Sequence, residues 1–480
     1  MAKILLINPN KWGRGITHIW IASHSGFLKR NGHKIELFDA TFYNNWRHNE
    51  EDFEKEFLKT NYNQLIKYKN EDVHKELEVK ISHFDPDVIF WSAISSHIHS
   101  EGEYVNIQNG YDLLKNIKIP KKTILITGGL QATSAPNFIL EKMNKIKFLI
   151  RGETELALNE IANCIDNKKD FFNLNGLVYK ENDSIKINPP QKILESLNIL
   201  APYDYSIFDE QVFLKKYNGK VYRGVDYELS RGCIYSCAYC VETIIQKYYG
   251  FEEKSNKTGA IKNFKSYLRH KSADLVFSEI KNLHDHYGIQ VFRCQDTNFL
   301  TIDRNTLEEL SIRIEESNLD IKLYIETRPE GINPKSIELL KKLKVDGIGM
   351  GIEASSETFR QENLKRFADQ NKIINAFKLL RESRIKRTAY NIIGMPSQDE
   401  ESIRETIAFN KLLMPDNISV HYYSPYYGTE SHRNGVKEKL FDEYEYDADA
   451  YLRSKTKNKK LTQEKLRYYK DNFIKLVRDC

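Results

Sequence analysis

Three cysteines lie close together near the middle of the chain. Cys233, Cys237 and Cys240 fall in the run Cys-Ile-Tyr-Ser-Cys-Ala-Tyr-Cys. Thiolates are the ligands that hold iron–sulfur clusters, and three thiolates on a [4Fe–4S] cube leave one iron without a protein ligand. An open iron can bind a small molecule, as the open position of a catalytic zinc does. The spacing therefore predicts a cluster with one open coordination position.

Two other interpretations of these cysteines stay open at this point. Structural zinc takes four ligands, commonly as two spaced pairs, and no second pair lies nearby, although His270 or His284 could complete a site. A redox dithiol needs only Cys-x-x-Cys, which leaves Cys233 unexplained. The other three cysteines belong to no spacing, and Cys294 is predicted to be a buried core thiol because it lies in an apolar strand.

Composition and charge limit the class of protein. The chain has 480 residues, with 72 Lys and Arg against 67 Asp and Glu, which gives a net charge of +5. This length predicts two or three domains, and so small a surplus provides no electrostatic footprint for nucleic acid. We find no apolar run long enough for a membrane span and no export signal, so we expect a reducing, cytoplasmic location and no membrane partner.

The N-terminal part alternates strand-like and helix-like segments. The predicted strands are Lys3–Asn8, Lys34–Phe38, Asp87–Ser92, Thr123–Thr127 and Lys147–Ile150. Such alternation predicts an α/β fold of flavodoxin or Rossmann type, with a parallel sheet covered by helices. Ligands in these sheets bind beyond the carboxyl ends of the strands. We assign this domain to residues 1–185, followed by a linker with a small β element at 186–225.

Strand and helix alternation resumes over residues 226–430. The predicted strands are Tyr227–Ser230, Ile289–Cys294, Lys322–Glu326, Gly347–Ile352, Ala389–Ile393 and Ile418–Tyr422. Six βα units predict a partial (βα)6 barrel of TIM type, whose chemistry gathers at the carboxyl ends of its strands. The three cysteines directly follow the first of these strands. Residues 431–480 form a helical C-terminal extension in this interpretation, with an apolar face that packs onto the body.

With the cysteines placed after a strand, the chain resembles the radical S-adenosylmethionine (SAM) enzymes. Their signature is Cys-x-x-x-Cys-x-aromatic-Cys, and Tyr239 matches the aromatic residue that packs against the adenine of SAM. The resemblance implies that the open iron chelates the methionine part of SAM. It also implies that an electron from the cluster cleaves SAM to a 5′-deoxyadenosyl radical.

Further strand ends extend the resemblance and imply additional SAM contacts. Glu353 matches the acid that binds the ribose hydroxyls, for which a carboxylate offers suitable acceptors. Gly394 matches the Gly-x-Pro turn beside the adenine, while Gln295, Asp296 and Arg328 match strand ends that meet the methionine part and its carboxylate. Considered alone, Glu353 could be a surface acid, Asp296 could cap a helix and Arg328 could belong to a structural ion pair.

Two turns of the N-terminal domain carry a second resemblance. Residues 128–133 read Gly-Gly-Leu-Gln-Ala-Thr and residues 151–155 read Arg-Gly-Glu-Thr-Glu. They resemble the cobalamin-binding domain of class B radical SAM methyltransferases, whose usual runs are Gly-Gly-Pro-His-Ala-Thr and Arg-Gly-Glu-Gly-Glu. Thr154 stands where the second run has its second glycine. The resemblance implies cobalamin contacts at Asn8, Ser95, Gly128, Gly129, Gln131, Thr133 and Glu153.

Together these resemblances imply a cobalamin-dependent radical SAM methyltransferase. One SAM would methylate cob(I)alamin, and a second would yield the radical that takes hydrogen from an unactivated carbon of an unknown small molecule. The substrate radical would then collect the methyl group, so the sheet's ligand edge and the barrel mouth are expected to face each other. An external electron donor of flavodoxin or ferredoxin type is implied, and Tyr423 and Tyr426 are predicted near the substrate.

Two alternatives accompany this hypothesis. The first is a radical SAM enzyme that catalyses a non-methylating rearrangement or oxidation, with or without cobalamin. The second comes from another class, a non-enzymatic cobalamin or metal sensor, which would need a DNA-binding or signalling module that the sequence does not display. The residues that move protons or hydrogen atoms are not identified by any motif.

Overall fold

The computed structural model divides into two compact units. Unit 1 comprises residues 1–228 and 278–291, and unit 2 comprises residues 229–277 and 292–480. The described residues are 1–13, 15–47, 65–92, 103–182, 184–255, 257–440, 454 and 456–479. Within those residues, no helix combines the length and the apolar character that a membrane crossing requires.

Unit 1 is built on a seven-stranded sheet. Its strands are β1 (Lys3–Asn8), β2 (Lys34–Asp39), β3 (Val88–Trp91), β4 (Ile124–Thr127), β5 (Phe148–Ile150), β6 (Leu177–Glu181) and β7 (Ser184–Ile187). Their order is β2-β1-β3-β4-β5-β6-β7, with β1 to β5 parallel and the last two antiparallel. The parallel part has the flavodoxin order, which confirms the predicted fold class of this region.

The helices of unit 1 connect these strands. They are α1 (Ile19–Arg30), α2 (Val73–Phe84), α3 (Glu103–Leu114), α4 (Gly129–Ser134), α5 (Pro136–Lys142) and α6 (Glu155–Asp166). Strands β1 and β3 consist of apolar runs that are buried along almost their whole length, as expected for parallel strands covered on both faces. The segment 186–225, which we predicted as a linker, contains short 3-10 turns, the strand β8 (Leu214–Tyr217) and most of β9 (Lys220–Tyr227).

Unit 2 holds a second, largely parallel sheet. The short strands β10 (Ser230–Arg231) and β11 (Arg269–His270) pair with each other, and the main sheet follows the order β16-β15-β14-β13-β12. Its strands are β12 (Val291–Cys294), β13 (Lys322–Glu326), β14 (Val345–Glu353), β15 (Lys386–Ile393) and β16 (Asn417–Tyr422). The last four pair in parallel, as the barrel prediction requires.

Helices separate the strands from β10 onward. They are α7 (Glu242–Tyr248), α8 (Phe264–Tyr267), α9 (Ala273–Tyr287), α10 (Arg304–Ser317), α11 (Pro334–Lys342), α12 (Glu357–Leu364), α13 (Gln370–Glu382), α14 (Glu400–Leu413), α15 (Glu430–Lys437) and α16 (Gln463–Arg478). One of them, α9, belongs to unit 1 from Ser278 onward. The predicted apolar face of the last helix is confirmed, because Leu466, Tyr469 and Phe473 are buried in a cluster with β15, β16 and α14.

The first predicted barrel strand, Tyr227–Ser230, is wrong as a single strand. The structure ends β9 at Tyr227 and starts β10 at Ser230. The amides of Leu229 and Ser230 donate to the buried carboxylate of Asp296 at 3.1 and 2.6 Å. These donors are therefore not available to a neighbouring strand, and the ladder stops immediately before the cysteine segment.

Candidate functional site

The cysteine loop, residues 232–241, connects β10 to α7 and is held by two side chains of α7. The Gln246 amide donates to the carbonyl oxygens of Cys233 and Tyr235 at 2.9 and 3.0 Å, and accepts from the Ser236 hydroxyl at 2.5 Å. The Glu242 carboxylate accepts from the Cys233 amide at 3.0 Å. Side chains of α7 therefore form the hydrogen bonds that a helix or strand would otherwise provide to these backbone groups. These bonds hold the loop in place although it has no regular secondary structure.

The three thiols of this loop are suited to a cluster. None forms a disulfide; Cys237 is buried and the other two are half-buried. Burial raises the pKa of the Cys233 thiol to about 12 and that of Cys240 well above its ordinary value, so these thiols ionise only when a metal displaces the proton. Across the described residues, no three Cys, His, Asp or Glu side chains converge on one ion. A cluster would give each of the three thiolates its own iron.

The loop is joined to the end of β14 by one hydrogen bond. The Tyr239 hydroxyl donates to Glu353 Oε1 at 3.0 Å across 114 positions of sequence. Burial, and then the nearby Glu353 carboxylate, raise the pKa of Tyr239 well above its ordinary value, so the phenol remains a neutral donor. The structure therefore brings together the two residues that the resemblance assigns to the adenine and ribose of SAM.

Glu353 is held in place by its backbone and by a buried arginine. It has a φ of 62°, which is uncommon for residues other than glycine. The Arg366 guanidinium lies 3.7 Å from Glu353 Oε1 and donates to the Gly351 carbonyl at 2.7 Å. A Cβ atom at position 351 would collide with the Glu353 carboxylate, so only glycine leaves room for this arrangement. Glu353 is thus a fixed carboxylate at a strand end, not a surface acid.

Arg328 lies against the cysteine loop. Its guanidinium carbon is 3.7 Å from the ring centroid of Tyr235, and its Nε and Nη2 groups donate to Glu330. The ion pair with Glu330 is the structural alternative that the sequence left open. Nη1 is buried and has no hydrogen-bond partner among the described residues, so this arginine retains a donor for an anion beside the loop.

Asp296 and its neighbours fasten the segments around the cysteine loop. Asp296 is fully buried and accepts from the Ser230 amide and hydroxyl, besides the Leu229 amide, so it does not cap a helix. Gln295 is buried beside it. Asn298 Oδ1 accepts from the Thr327 hydroxyl at 2.7 Å, which ties the end of β12 to the end of β13. The predicted SAM contacts of Gln295 and Asp296 stay predictions.

The remaining predicted residues of unit 2 lie at the ends of β15 and β16. Gly394 follows β15 with a φ of 81°. Tyr423 follows β16 and is buried in an apolar cluster with Met395, against which Tyr239 also packs. Burial raises the pKa of Tyr423 to about 12. Tyr426 is half-buried, and its carbonyl accepts from the Thr429 hydroxyl. No contact with a substrate is established for either tyrosine.

In unit 1, the two predicted ligand turns are joined by a threonine. The Thr133 hydroxyl donates to the Gly129 carbonyl at 2.8 Å and accepts from the Gly152 amide at 2.9 Å. It thereby connects the turn after β4 to the turn after β5, at the carboxyl edge of the sheet. Both of these bonds are internal to the protein, so they position the turns for any ligand.

The departure from the family pattern at Thr154 has a structural explanation. The Thr154 hydroxyl is 2.7 Å from Nε2 of the buried His24, whose Nδ1 is 2.6 Å from the Trp20 carbonyl. A Cβ atom at position 128 would lie 2.7 Å from Thr154 Cγ2. The threonine methyl therefore occupies space that is open because Gly128 has no side chain. The turn at Gly128 is kept although a threonine replaces the second glycine of the Arg-Gly-Glu-Gly-Glu run.

The other predicted cobalamin residues are placed as follows. The Asn8 amide is fully buried at the end of β1 and donates to Asp39 Oδ1 at 3.0 Å. Gln131 is buried in α4, and Glu153 is buried in the turn before α6. Ser95 lies outside the described residues. The described positions share one edge of the sheet, and their ligand contacts remain predictions.

Sequence reasoning missed several residues that shape the site. Arg366 and Gln246 belong to no motif, and nothing in their local sequence marks them. Arg360 is fully buried and donates to the carbonyls of Ala354 and Ser355 at 2.6 Å, so it holds the chain that follows Glu353. The Arg-Pro-Glu run at 328–330 did carry a signal, because a carboxylate two residues from an arginine can pair with it.

The fold and the site define a class of enzyme. Residues 227–409 match the model of the Radical SAM superfamily, so the chain carries a radical SAM domain and is an enzyme. The interpretation as a non-enzymatic sensor is therefore wrong.

Known proteins resemble both units. An uncharacterized methyltransferase of Pyrococcus horikoshii is 25% identical over 73% of this chain and 69% of its own length. An anaerobic magnesium-protoporphyrin IX monomethyl ester cyclase of Rubrivivax gelatinosus is 22% identical over 93% of this chain and 72% of its own length. The solved structure of TsrM from Kitasatospora setae, a radical SAM methyltransferase with cobalamin and a [4Fe–4S] cluster bound, matches 91% of this chain and 78% of that one, with a TM-score of 0.67 and 17% identity. At this identity, the structural likeness shows the fold.

Proposed function

We propose that this protein is a cobalamin-dependent radical SAM methyltransferase that methylates an unactivated carbon of a small molecule. The observation that carries the proposal is the hydrogen bond between Tyr239 and Glu353, which unites the cysteine loop with the strand end assigned to SAM. When bound, the cluster would supply the electron that cleaves SAM, and cobalamin would carry the methyl group.

The residues of unit 2 would hold and orient SAM. Cys233, Cys237 and Cys240 would bind three irons of the cluster. The Glu353 carboxylate has two oxygens, of which Tyr239 occupies one site, so it retains acceptors for a ribose diol. The unpartnered Nη1 of Arg328 would donate to the methionine carboxylate. Burial of these groups would exclude water and strengthen each contact.

The ligand edge of unit 1 would bind cobalamin largely through shape. Gly128 and Gly129 leave the turn without side chains, and Thr133 holds that turn against the next one. A large flat cofactor can then approach the backbone closely. The methyltransferase relative and the TsrM fold support this assignment, as does the flavodoxin strand order. The external electron donor and the reducing, cytoplasmic setting belong to the same proposal.

A second candidate function also has an observation in its favour. The cyclase relative covers nearly the whole chain, and a cyclase name indicates oxidation or rearrangement without methyl transfer. In that case Glu353 and the cysteine loop would serve the same SAM cleavage, and the two candidates would differ only in what happens to the substrate radical.

Anaerobic reconstitution with iron, sulfide and hydroxocobalamin tests the proposal. We expect ultraviolet–visible spectra that contain both cluster and corrin absorption after removal of unbound cofactor. Incubation with SAM, reductant and a cell extract should then yield 5′-deoxyadenosine and S-adenosylhomocysteine together, with a product heavier by one methylene. Formation of 5′-deoxyadenosine without S-adenosylhomocysteine would favour the second candidate, and failure to take up corrin would contradict cobalamin dependence.

A further inference from the structure

One basic segment of unit 2 directly follows the cysteine loop in the sequence. Residues 246–271 contain seven Lys or Arg and two Glu, a net charge of +5. Residues 453–470 are also basic, with eight Lys or Arg and one Glu, so its place beside the cysteine loop is what distinguishes the first segment. A local surplus of this kind creates a field that attracts acidic partners.

This segment contacts the cysteine loop through its backbone. We call residues 247–255 and 257–265 the lysine strap. The Ser236 amide donates to the Gly259 carbonyl at 2.8 Å, and the Ile261 amide donates to the Ile234 carbonyl at 2.8 Å. Tyr235 and Ala260 form an antiparallel bridge between them. The strap is thus the backbone neighbour of the loop that carries the thiols.

The strap presents lysines and one aromatic ring to solvent. Lys247, Lys257 and Lys265 are exposed, and none forms an ion pair within the described part of the chain. Phe264 is 37% exposed beside Lys265. Exposed aromatic rings are favoured as anchors at protein interfaces, and exposed ammonium groups such as that of Lys265 suit a negatively charged protein surface.

We propose that the lysine strap is the docking surface of an acidic one-electron carrier protein that reduces the cluster. This inference rests on the proposed function, because it requires a cluster at the cysteine loop. One electron would leave the carrier and one would enter the cluster, with no bond formed or broken. Complementary charge would speed the encounter, as in other transient electron-transfer complexes with small interfaces.

A nucleic acid is the other polyanion that a basic segment could bind, and the strap fits it less well. Nucleic-acid affinity grows with the number of phosphates neutralised, whereas Lys254 and Lys262 of the strap are already paired with Glu430 and Glu253. The exposed cations of the strap are all lysines, without the arginines that read bases and stack on them. The strap also lies beside the thiols, where an electron carrier would be useful.

The test compares two double variants with the same change of charge. Lys257→Glu with Lys265→Glu alters the strap, and Lys335→Glu with Lys378→Glu alters exposed lysines of α11 and α13. Binding of oxidised flavodoxin and the rate of cluster reduction by reduced flavodoxin are measured at low and high salt. We expect the strap variant to bind roughly tenfold more weakly at low salt and to be reduced more slowly, while the control variant resembles the wild type.

The outcomes separate this proposal from the proposed function. Equal flavodoxin binding by the two double variants would overturn the docking surface, as would strap-dependent binding of an oligonucleotide without any effect on flavodoxin. Reduction by dithionite reports whether the cluster of each variant is intact. Binding of oxidised flavodoxin does not require the cluster. A wild-type protein that takes up no iron would therefore contradict the proposed function. The flavodoxin-binding result would still decide whether the strap is a docking surface.

Discussion

The candidate sites of the two units are built with different chemistry. In unit 2, charged side chains are fixed by other polar groups, as where Tyr239 and Arg366 hold the Glu353 carboxylate. In unit 1, a hydroxyl and glycines shape the turns, as where Thr133 joins the turns after β4 and β5. Under the proposed function, unit 2 would recognise its ligand by charge and unit 1 by shape.

Substitutions in the two sites should have different consequences for ligand binding and for stability. Loss of a fixed charge removes a ligand contact directly, with little change in packing. Loss of a small residue or a bracing hydroxyl disturbs the fold first and the ligand second. The following variants are chosen to separate these two types of failure.

The largest effect is expected from the cysteines. Cys237→Ala should reduce the iron content from about four atoms per chain, the number in a [4Fe–4S] cluster, and SAM cleavage should fall to background. Cys164→Ser, outside the loop on α6, is the matched control and should keep its iron. Iron analysis and 5′-deoxyadenosine assays measure both. Full iron content in Cys237→Ala would exclude this thiol as a cluster ligand.

The next largest effect is expected at Glu353. Glu353→Gln keeps the size of the side chain but removes its charge, so SAM should bind more weakly by roughly 10- to 100-fold, since hydrogen bonds to charged groups contribute about 1.5–3 kcal/mol. Equilibrium binding to the cluster-loaded protein measures this affinity. Glu338→Gln on the exposed face of α11 serves as control. Unchanged SAM affinity in Glu353→Gln would remove Glu353 from the site.

A smaller effect, on stability and corrin uptake, is expected at Gly128, and a second substitution at Thr154 should reverse it. Gly128→Ala places a Cβ atom 2.7 Å from Thr154 Cγ2, so unfolding should become easier by about 1–3 kcal/mol and corrin uptake should weaken. Thr154→Ser removes that methyl group but keeps the hydroxyl near His24. The double variant should therefore recover most of the stability in urea unfolding. Additive losses in the double variant would contradict the proposed clash.

An effect on stability of the same order is expected at Thr133. Thr133→Val removes the hydrogen bond to the Gly129 carbonyl within the first turn and the bond from the Gly152 amide that joins the two turns. The cost in unfolding free energy should be about 1–3 kcal/mol because the Gly152 amide is left unsatisfied. Thr133→Ser retains the hydroxyl and should cost less. Urea unfolding measures both, and SAM binding in unit 2 should not change. Equal stability of the two variants would show that the hydrogen bond between the Gly152 amide and the Thr133 hydroxyl does not contribute to stability.

These contrasts also explain what the sequence could predict. The strand β1 has the predicted bounds because its apolar run ends at a proline, and Tyr239 and Glu353 were identified by motifs although they are far apart in the chain. Local signals of this kind are readable without tertiary structure.

Other features depend on contacts that no local pattern encodes. The break between β9 and β10 arises because Asp296, from a distant segment, accepts the amides of Leu229 and Ser230. Arg366 reaches Glu353 only through the packing of the segment after α12. Thr154 breaks the family pattern, and only its neighbours His24 and Gly128 explain how the turn persists.

The central claim is that a cluster in the cysteine loop binds SAM through an open iron. Electron paramagnetic resonance of the reduced, reconstituted protein tests it most directly, with SAM labelled by ¹⁵N at the amino group and ¹³C at the carboxylate of its methionine part. We predict a cluster signal that changes when SAM is added and shows hyperfine coupling to both labels. A cluster signal unaffected by SAM, without coupling to either label, would contradict the account.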